Sequence, residues 1–420
     1  MTVIQNKSDN PIAHLTKADI AELGRELDAI RQEIIDSRGA SDAAYIRNMI
    51  KTQRYLELGS RGVLLFSVFP PAFVLGTLGL SISKILENME IGHNVLHGQW
   101  DWMRDPKIHS STWEWDNVTP ADAWKHSHNE VHHTYTNIVG KDNDLGYGIM
   151  RVDEDQKWYP FYIAQPAWNF INACFFQYGI AAYDLELGKN LSRPKEKRPA
   201  DFDEQVKKVL VKIRKNMTRD YVIHPVLSIP TGSFLPTIAA NLISNWARNV
   251  WSHSVIMCGH FPEGVETFEK EMLDEDETRG DWYLRQMLGS ANISGSKFMH
   301  VMTGNLSHQI EHHLFPDLPS NRYAEAAVKV KQVFEKYGLN YHEDSLPKQV
   351  YSAWHKVVRL SLPNGWLETT TVKNLPKQVG ILAKMVGGDK RTRRVLQRQL
   401  DAAVAKRRGA VVRPEVVEAA

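Results

Sequence analysis

At 420 residues the chain has room for two or three soluble domains or for one larger unit assembled on a bilayer. Its 51 Lys+Arg against 49 Asp+Glu leave a net charge of +2, which gives no basis for a nucleic-acid partner. Cys174 and Cys258 are the two cysteines, too few for a disulfide framework or a protein-held iron–sulfur cluster, which needs about four ligands.

Residues 1–50 are polar and charged and read as an N-terminal helical segment; no basic-then-apolar signal opens them. Mean hydropathy is −0.38, yet the apolar residues beyond this segment are concentrated. Tyr55 to Met89 carries Glu57, Arg61, Lys84 and Glu87 as its charges, with Pro70-Pro71 near its middle. This predicts a transmembrane helical hairpin running on into His93, with one kinked pass as the alternative. Trp158 to Leu187 is rich in Trp, Tyr and Phe and suits an interfacial segment. Tyr221 to Phe261 holds Arg248 as its fixed charge and is long enough for two passes. A second hairpin turning near Ser233 to Pro236 is expected there. Even-numbered passes keep every histidine cluster on one side. Basic flanks (Lys207-Lys208, Lys212, Arg214-Lys215, and Lys390 to Arg394 with Lys406 to Arg408) put that side in the cytosol. The acidic stretch Glu269 to Asp281 weighs little under that rule. The expected fold is an all-α integral membrane protein: two transmembrane hairpins (four passes), an interfacial helix, and a cytosolic helical cap holding a di-metal site. Its parts are 1–50, a membrane domain over 51–345 with the histidine clusters, and a basic cytosolic tail over 346–420.

Histidine carries the chemistry. His128-Asn-Glu-Val-His132-His133 and His308-Gln-Ile-Glu-His312-His313 repeat one pattern, and His93-Asn-Val-Leu-His97 precedes both. Residues four apart share one helix face, so each i,i+4 pair can reach one metal. The adjacent His133 and His313 lie about 100° further round, facing a second metal or the far side of the first. Imidazole suits iron, zinc and copper. Eight imidazoles exceed one tetrahedral zinc and suit two metals with open positions.

These motifs resemble the histidine boxes of the membrane fatty-acid desaturase superfamily. Box one is Gly92-His93 to His97-Gly98, box two Lys125-His126-Ser127-His128 to Asn137, and box three Gly304-Asn305 to Phe315-Pro316. Gln309-Ile-Glu-His-His313 and Leu314-Phe-Pro316 resemble the linoleoyl-CoA-desaturase-like branch. His97-Gly-Gln-Trp-Asp-Trp-Met103 and Trp113-Glu-Trp-Asp116 resemble actinobacterial acyl-CoA Δ9 (stearoyl-CoA) desaturases.

The resemblance implies two Fe ions held by His93, His97, His128, His132, His133, His308, His312 and His313, which also form the catalytic set. O2 is the co-substrate, and a cis double bond, at Δ9, is placed in a long-chain saturated acyl-CoA. A ninth ligand is implied from a later helix; His260 is favoured over His253. With no haem motif and no dinucleotide fingerprint, the chain binds no haem or flavin of its own. A separate NAD(P)H-dependent reductase (flavin and iron–sulfur) is the expected partner beside acyl-CoA and the bilayer, in a bacterial cytoplasmic membrane with the site facing the cytosol. A fatty-acid or alkane hydroxylase of the same superfamily is the alternative chemistry, and a zinc-binding membrane receptor or carrier the alternative class. Asp116, Glu130, Asp142, Asp144 and Glu311 are candidates to orient the imidazoles. Trp100, Trp102, Trp113, Trp115 and Trp124 read first as an interfacial belt and second as a substrate entrance. His14, His109, His126, His224, His300, His342 and His355 read as structural.

Overall fold

The computed structural model describes residues 10–142, 144–270 and 277–407. Parts of the N-terminal segment (1–9), the acidic stretch (271–276) and the basic tail (408–420) lie outside the described residues. The chain divides into two compact units, Met1–Gly148 with Ile171–Ala353, and Ile149–Phe170 with Trp354–Ala420.

The first unit opens with α1 (Lys17–Asp36). Thr16 starts it through a capping box: its hydroxyl accepts from the Asp19 amide, and the Asp19 carboxylate accepts from the Thr16 amide at 2.8 Å. Then come α2 (Ala40–Leu64) and α3 (Pro70–Leu86), which pack along each other. Pro70 and Pro71 sit in the first turn of α3, where a missing amide donor costs nothing. A π-helical stretch, Glu87–His93, continues α3, and a second, Lys125–His132, lies further on. The unit continues with α4 (Phe176–Asp184), α5 (Phe202–Thr218), α6 (Phe234–His260), α7 (Arg279–Leu288), α8 (Gln309–Leu314) and α9 (Tyr323–Lys336). Helices α1, α7 and α9 share a core around Leu23, Leu27, Tyr283, Val330 and Phe334. At Gly280 a Cβ would lie 2.3 Å from the Ile20 carbonyl oxygen, so α1 and α7 cross this closely only over glycine. Two short strands, β1 (Asn292–Ser294) and β2 (Glu343–Ser345), pair in parallel with Ile293 opposite Asp344.

A buried ionic network fixes the Trp-rich loop before the second π-stretch. Lys84 Nζ donates to Asp220 at 2.8 Å, and Arg219 grips Asp116 with two bonds of 2.9 and 2.8 Å. Burial of both charges is offset here by paired, hydrogen-bonded geometry; removing one partner would leave the other uncompensated. Trp115 Nε1 donates to the Thr119 carbonyl at 2.8 Å and closes the loop on itself.

In the second unit, Trp158, Trp366, Met385 and Leu400 form the core. Arg151 spends its guanidinium on the backbone carbonyls of Glu154, Gln156 and Leu362. Helix α10 (Leu346–Ser361) carries the chain into this unit, which ends with α11 (Leu375–Gly387) and α12 (Lys390–Arg407).

The expected membrane architecture is corrected. Among the described residues no helix is long and apolar enough to cross a membrane. The first apolar stretch is split: α2 carries Lys51, Arg54, Glu57 and Arg61, and α3 with its π-helical continuation carries Lys84, Glu87 and Glu90. In the second, the chain breaks at Ser228 and at Gly232 (φ +75°), earlier than the expected turn, before α6 begins. Helix α6 has 27 residues, but Asn241, Ser244, Arg248, Asn249, Ser252 and His253 are buried along it. Those polar side chains lower its hydropathy. The four transmembrane passes and the integral inner-membrane location with a cytosol-facing site fall together, because both rested on those stretches. The Trp158 to Leu187 segment is not one interfacial helix but several short ones. The paired strands likewise depart from an all-α fold.

Candidate metal centre

The first π-stretch brings His93 to the interior at the end of α3. A π turn holds more residues than an α turn and recurs at functional sites. Glu90 anchors it, accepting from Tyr45, Ser320 and Asn305 at 2.8, 2.8 and 2.9 Å. The second π-stretch presents His128 and His132, and His133 follows it. His260 is the last residue of α6, and α8 supplies His312 and His313.

These side chains meet. The ligand atoms of His93, His97, His128 and His312 all lie within 4.8 Å of one another, and so do those of His132, His260 and His313. Each group is able to hold a metal ion. His128, His132 and Asp144 also meet within that limit. His133 lies between the groups, its ring centroid 4.8 Å from His97, 4.9 Å from His312 and 4.4 Å from His313.

The hydrogen bonds fix which nitrogen is free. Nδ1 of His128 faces Asp144 at 2.8 Å, and Nδ1 of His132 faces both Asp142 oxygens at 3.0 Å. Nδ1 of His313 faces Gln286 Oε1 at 3.0 Å, Nδ1 of His260 the Gly289 carbonyl at 3.2 Å, and Nδ1 of His93 Asn94 Oδ1 at 3.2 Å. Nδ1 of His312 lies 3.1 Å from the Tyr323 hydroxyl, whose own proton goes to the Phe315 carbonyl. Each acceptor calls for an Nδ1–H and so leaves Nε2 as a lone pair, the arrangement by which outer partners orient metal-binding imidazoles. Nε2 of His97, His128, His312 and His313 and both ring nitrogens of His133 are buried with no hydrogen-bond partner. An orphaned buried polar atom costs about 1–3 kcal/mol. Such a set in one place is tolerable where a cation takes up the lone pairs. The residues present therefore fit a metal.

The protonation states agree for every ring but His132. Burial pushes His93 and His260 down to about 3, with His128 and His132 respectively adding repulsion. Burial and neighbouring imidazoles also hold His97, His133, His312 and His313 well below the ordinary range. Burial pushes His132 down too, but Asp142 and Asp144 outweigh it and raise it to about 9. The cluster is thus a set of imidazoles that burial keeps neutral, except His132, whose two carboxylates favour its protonated form; His128, also backed by a carboxylate, stays below the ordinary range.

A narrow cleft ends on these rings. Met89, Trp115, Trp124, Phe176, Ile180 and Leu306 supply apolar wall, and His93, His128, His132 and His260 line its end. Trp124 stacks on His128 with centroids 4.4 Å apart and fixes that ring.

Not every expected residue arrives. His308 lies outside both groups; its ring stacks on His300 at 4.5 Å. The backbone explains this: His308 ends a 3₁₀ turn and caps α8 with φ −101° and ψ 56°, so the four-residue face is broken after it. Gln309 takes the inward place and its Nε2 donates to His260 Nε2 at 2.9 Å. Gly259 makes this possible, since a Cβ there would meet Gln309 Cγ at 2.8 Å. His253 packs against Phe176 and Tyr147, away from both groups. Among the carboxylates, Asp142 and Asp144 meet site histidines. Glu130 pairs with exposed His126, Glu311 with Asn292 and Tyr341, and Asp116 with Arg219. Trp115 and Trp124 line the cleft, whereas Trp100 is fully buried elsewhere. Gln309, Gln286 and Tyr323 were missed, because amide and phenol partners far apart in sequence leave no spacing signal. The Gln-Ile-Glu-His-His phrase alone marks Gln309.

Comparison with known proteins accounts for the geometry. The family model "Fatty acid desaturase" matches residues 66–345. The chain is 48% identical over 358 residues to the "NADPH-dependent stearoyl-CoA 9-desaturase" of Mycobacterium tuberculosis (strain H37Rv), covering 84% of this chain and 83% of that one. It is 25% identical over 288 residues to the "sn-1 linoleoyl-lipid 6-desaturase" of Synechocystis sp., covering 66% and 77%. It is 27% identical over 293 residues to "Delta(5) fatty acid desaturase A" of Dictyostelium discoideum, covering 62% and 57%. Family membership and the histidine cluster together support a metal centre. By its motifs, its histidine core and the span of these matches, the chain belongs to the fatty acid desaturase family.

Proposed function

We propose that the chain is an acyl-CoA Δ9 desaturase, taking stearoyl-CoA or a similar long saturated acyl-CoA and forming a cis double bond with O2 and two electrons. The observation that carries this reading is the set of neutral imidazoles with free Nε2 atoms at the end of an apolar-walled cleft. The 48% identity to a named stearoyl-CoA 9-desaturase supports the substrate and bond position. That relative's name also supports NADPH as the source of electrons; a separate flavin- and iron–sulfur-containing reductase is the carrier proposed with it.

His93, His97, His128 and His312 would hold one iron, and His132, His260 and His313 the other, with His133 between them; His260 Nε2 would exchange its Gln309 amide donor for the metal. When bound there, an iron pair would supply the O2-dependent chemistry that an unactivated C–H bond needs and acid–base groups cannot provide. The protein does the positioning. Trp115, Trp124, Phe176, Ile180 and Leu306 exclude water and hold the acyl chain, so the carbons resting at the histidine end are those that react. Asp142 and Asp144 hold His132 and His128 in register through Nδ1. Gln309 stands beside His260 in the place the repeated pattern assigns to His308.

The test is gas chromatography–mass spectrometry of fatty acids from a host expressing the chain with a compatible reductase, beside His312→Ala. A cis-Δ9 monoene that the variant lacks is expected. A hydroxylated product would move the chain to the sister chemistry. Bound zinc with no oxygen uptake would make it a binding protein.

A further inference from the structure

The cleft at the histidines shares a wall with a second hollow in the same unit. The hollow is lined by Asp122, His126, Ser127, Glu186, Asp201 and Gln205 among others. Asp122, His126 and Asp201 are exposed, so the hollow opens to solvent. Asp184, the last residue of α4, lines both cavities. Its Oδ1 accepts from the Ser127 hydroxyl at 2.6 Å. Its Oδ2 is buried and makes no hydrogen bond of ordinary geometry, with the Thr119 hydroxyl the nearby polar group. An ionised carboxylate is poorly served by that setting; a carboxyl carrying a proton, with a donor to spare, fits it.

Desaturation has a proton requirement. Two C–H bonds break and one C–C π bond forms, giving two electrons and two protons to O2. The reductase gives two more electrons, and two further protons must come from solvent to complete two waters. Resting on the reading of the chain as a desaturase, we propose that Asp184 is the proton-relay residue that admits those solvent protons, passing them from the outer hollow past Ser127 into the cleft.

The surroundings favour the role. Burial pushes the Asp184 carboxyl up to about 8, opposed by the Ser127 hydroxyl, reinforced by the Asp144 charge and opposed by Thr119. Both the burial and the Asp144 charge favour its protonated form. On the cleft side Asp144 is held by His128. On the hollow side Asp122, Glu186 and His126 (the last paired with Glu130) face solvent and can reload Asp184.

The experiment compares iron-loaded wild type, Asp184→Asn and Asp184→Glu, each full length, with stearoyl-CoA, NADPH and a compatible reductase. Asparagine keeps the shape and the Ser127 contact but cannot pass a proton; glutamate can. Double bonds formed per O2, peroxide released, the solvent deuterium effect on kcat, and the infrared carboxylic-acid band of the resting protein are measured. For Asp184→Asn we expect unchanged iron, loss of one buried carboxylic-acid band, and kcat lower by about tenfold or more. A larger solvent isotope effect and more peroxide per O2 should accompany this, and Asp184→Glu should recover most of kcat. Wild-type turnover by Asp184→Asn with an unchanged isotope effect overturns the relay. So does a loss that glutamate does not restore and that leaves coupling and isotope effect unmoved, since that marks a packing role. Absence of any double bond from wild type would instead overturn the functional reading itself.

Discussion

Two copies of His-x-x-x-His-His have different fates in this molecule. In the copy at His128, all three histidines enter the cluster; in the copy at His308, only the last two do. The letters are the same and the backbone differs. Lys125–His132 is one continuous π-helical stretch, so His128 and His132 stay on one face, their rings stacked at 5.0 Å. Between His308 and Gln309 the chain passes from a 3₁₀ turn into α8, and the face is reset by one residue. A repeat of residue types is a repeat of function only where the helix that carries it is unbroken.

The sharpest way to break this comparison is to truncate the first histidine of each copy. His128→Ala should lower turnover by about a hundredfold or more and reduce bound iron, because it removes a ring from the four-histidine group. His308→Ala should keep its iron and at least half its activity. Double-bond formation and metal content on the same preparations decide it, and equal losses would erase the distinction. Next in size are the carboxylates behind the first copy. Asp144→Asn and Asp142→Asn should each weaken metal affinity by about 10- to 100-fold, read by competition with a chelator. Gln309→Ala should be milder than His128→Ala and harsher than His308→Ala in turnover, since it leaves the imidazoles and removes the partner of His260.

The metal-free protein offers a pH version of the same contrast. His132 is raised to about 9, so its contribution to stability is fully present below about 6.5 and is lost as pH rises through about 9. His93 and His260 are depressed to about 3, so theirs is lost as pH falls from about 6.5 toward 3. Melting temperature of the apo protein should therefore fall on both sides of neutrality, and Asp142→Asn should flatten the alkaline side only. The smallest effect belongs to the exposed His126–Glu130 pair, where Glu130→Gln should change stability by less than about 0.5 kcal/mol by denaturant melting.

Much of the centre was legible because metal chemistry constrains residue type and spacing together. His93 and His97, His128 to His133, and His312 with His313 are visible as motifs, and His260 as one of two candidates. Asp142 and Asp144 were visible only by proximity, among five acids of equal claim. Gln286, Tyr323 and Asp184 were not, because they reach the centre through tertiary packing. The fold was read less well. In Tyr55 to Met89 and Tyr221 to Phe261 the apolar density, the few charges and the length all suggest spans, and the sequence does not show which polar side chains the helices bury. The charges along α2 and in the continuation of α3 and the buried polar side of α6 decide the matter, and no described helix meets the length and apolarity of a span.

The most direct test of the account is iron per chain in wild type, His128→Ala and His308→Ala, purified from iron-replete cells, by mass spectrometry of the metal. Two irons per chain are expected in wild type and in His308→Ala, and a deficit in His128→Ala. Zinc in place of iron, or a deficit in His308→Ala matching that in His128→Ala, would contradict it.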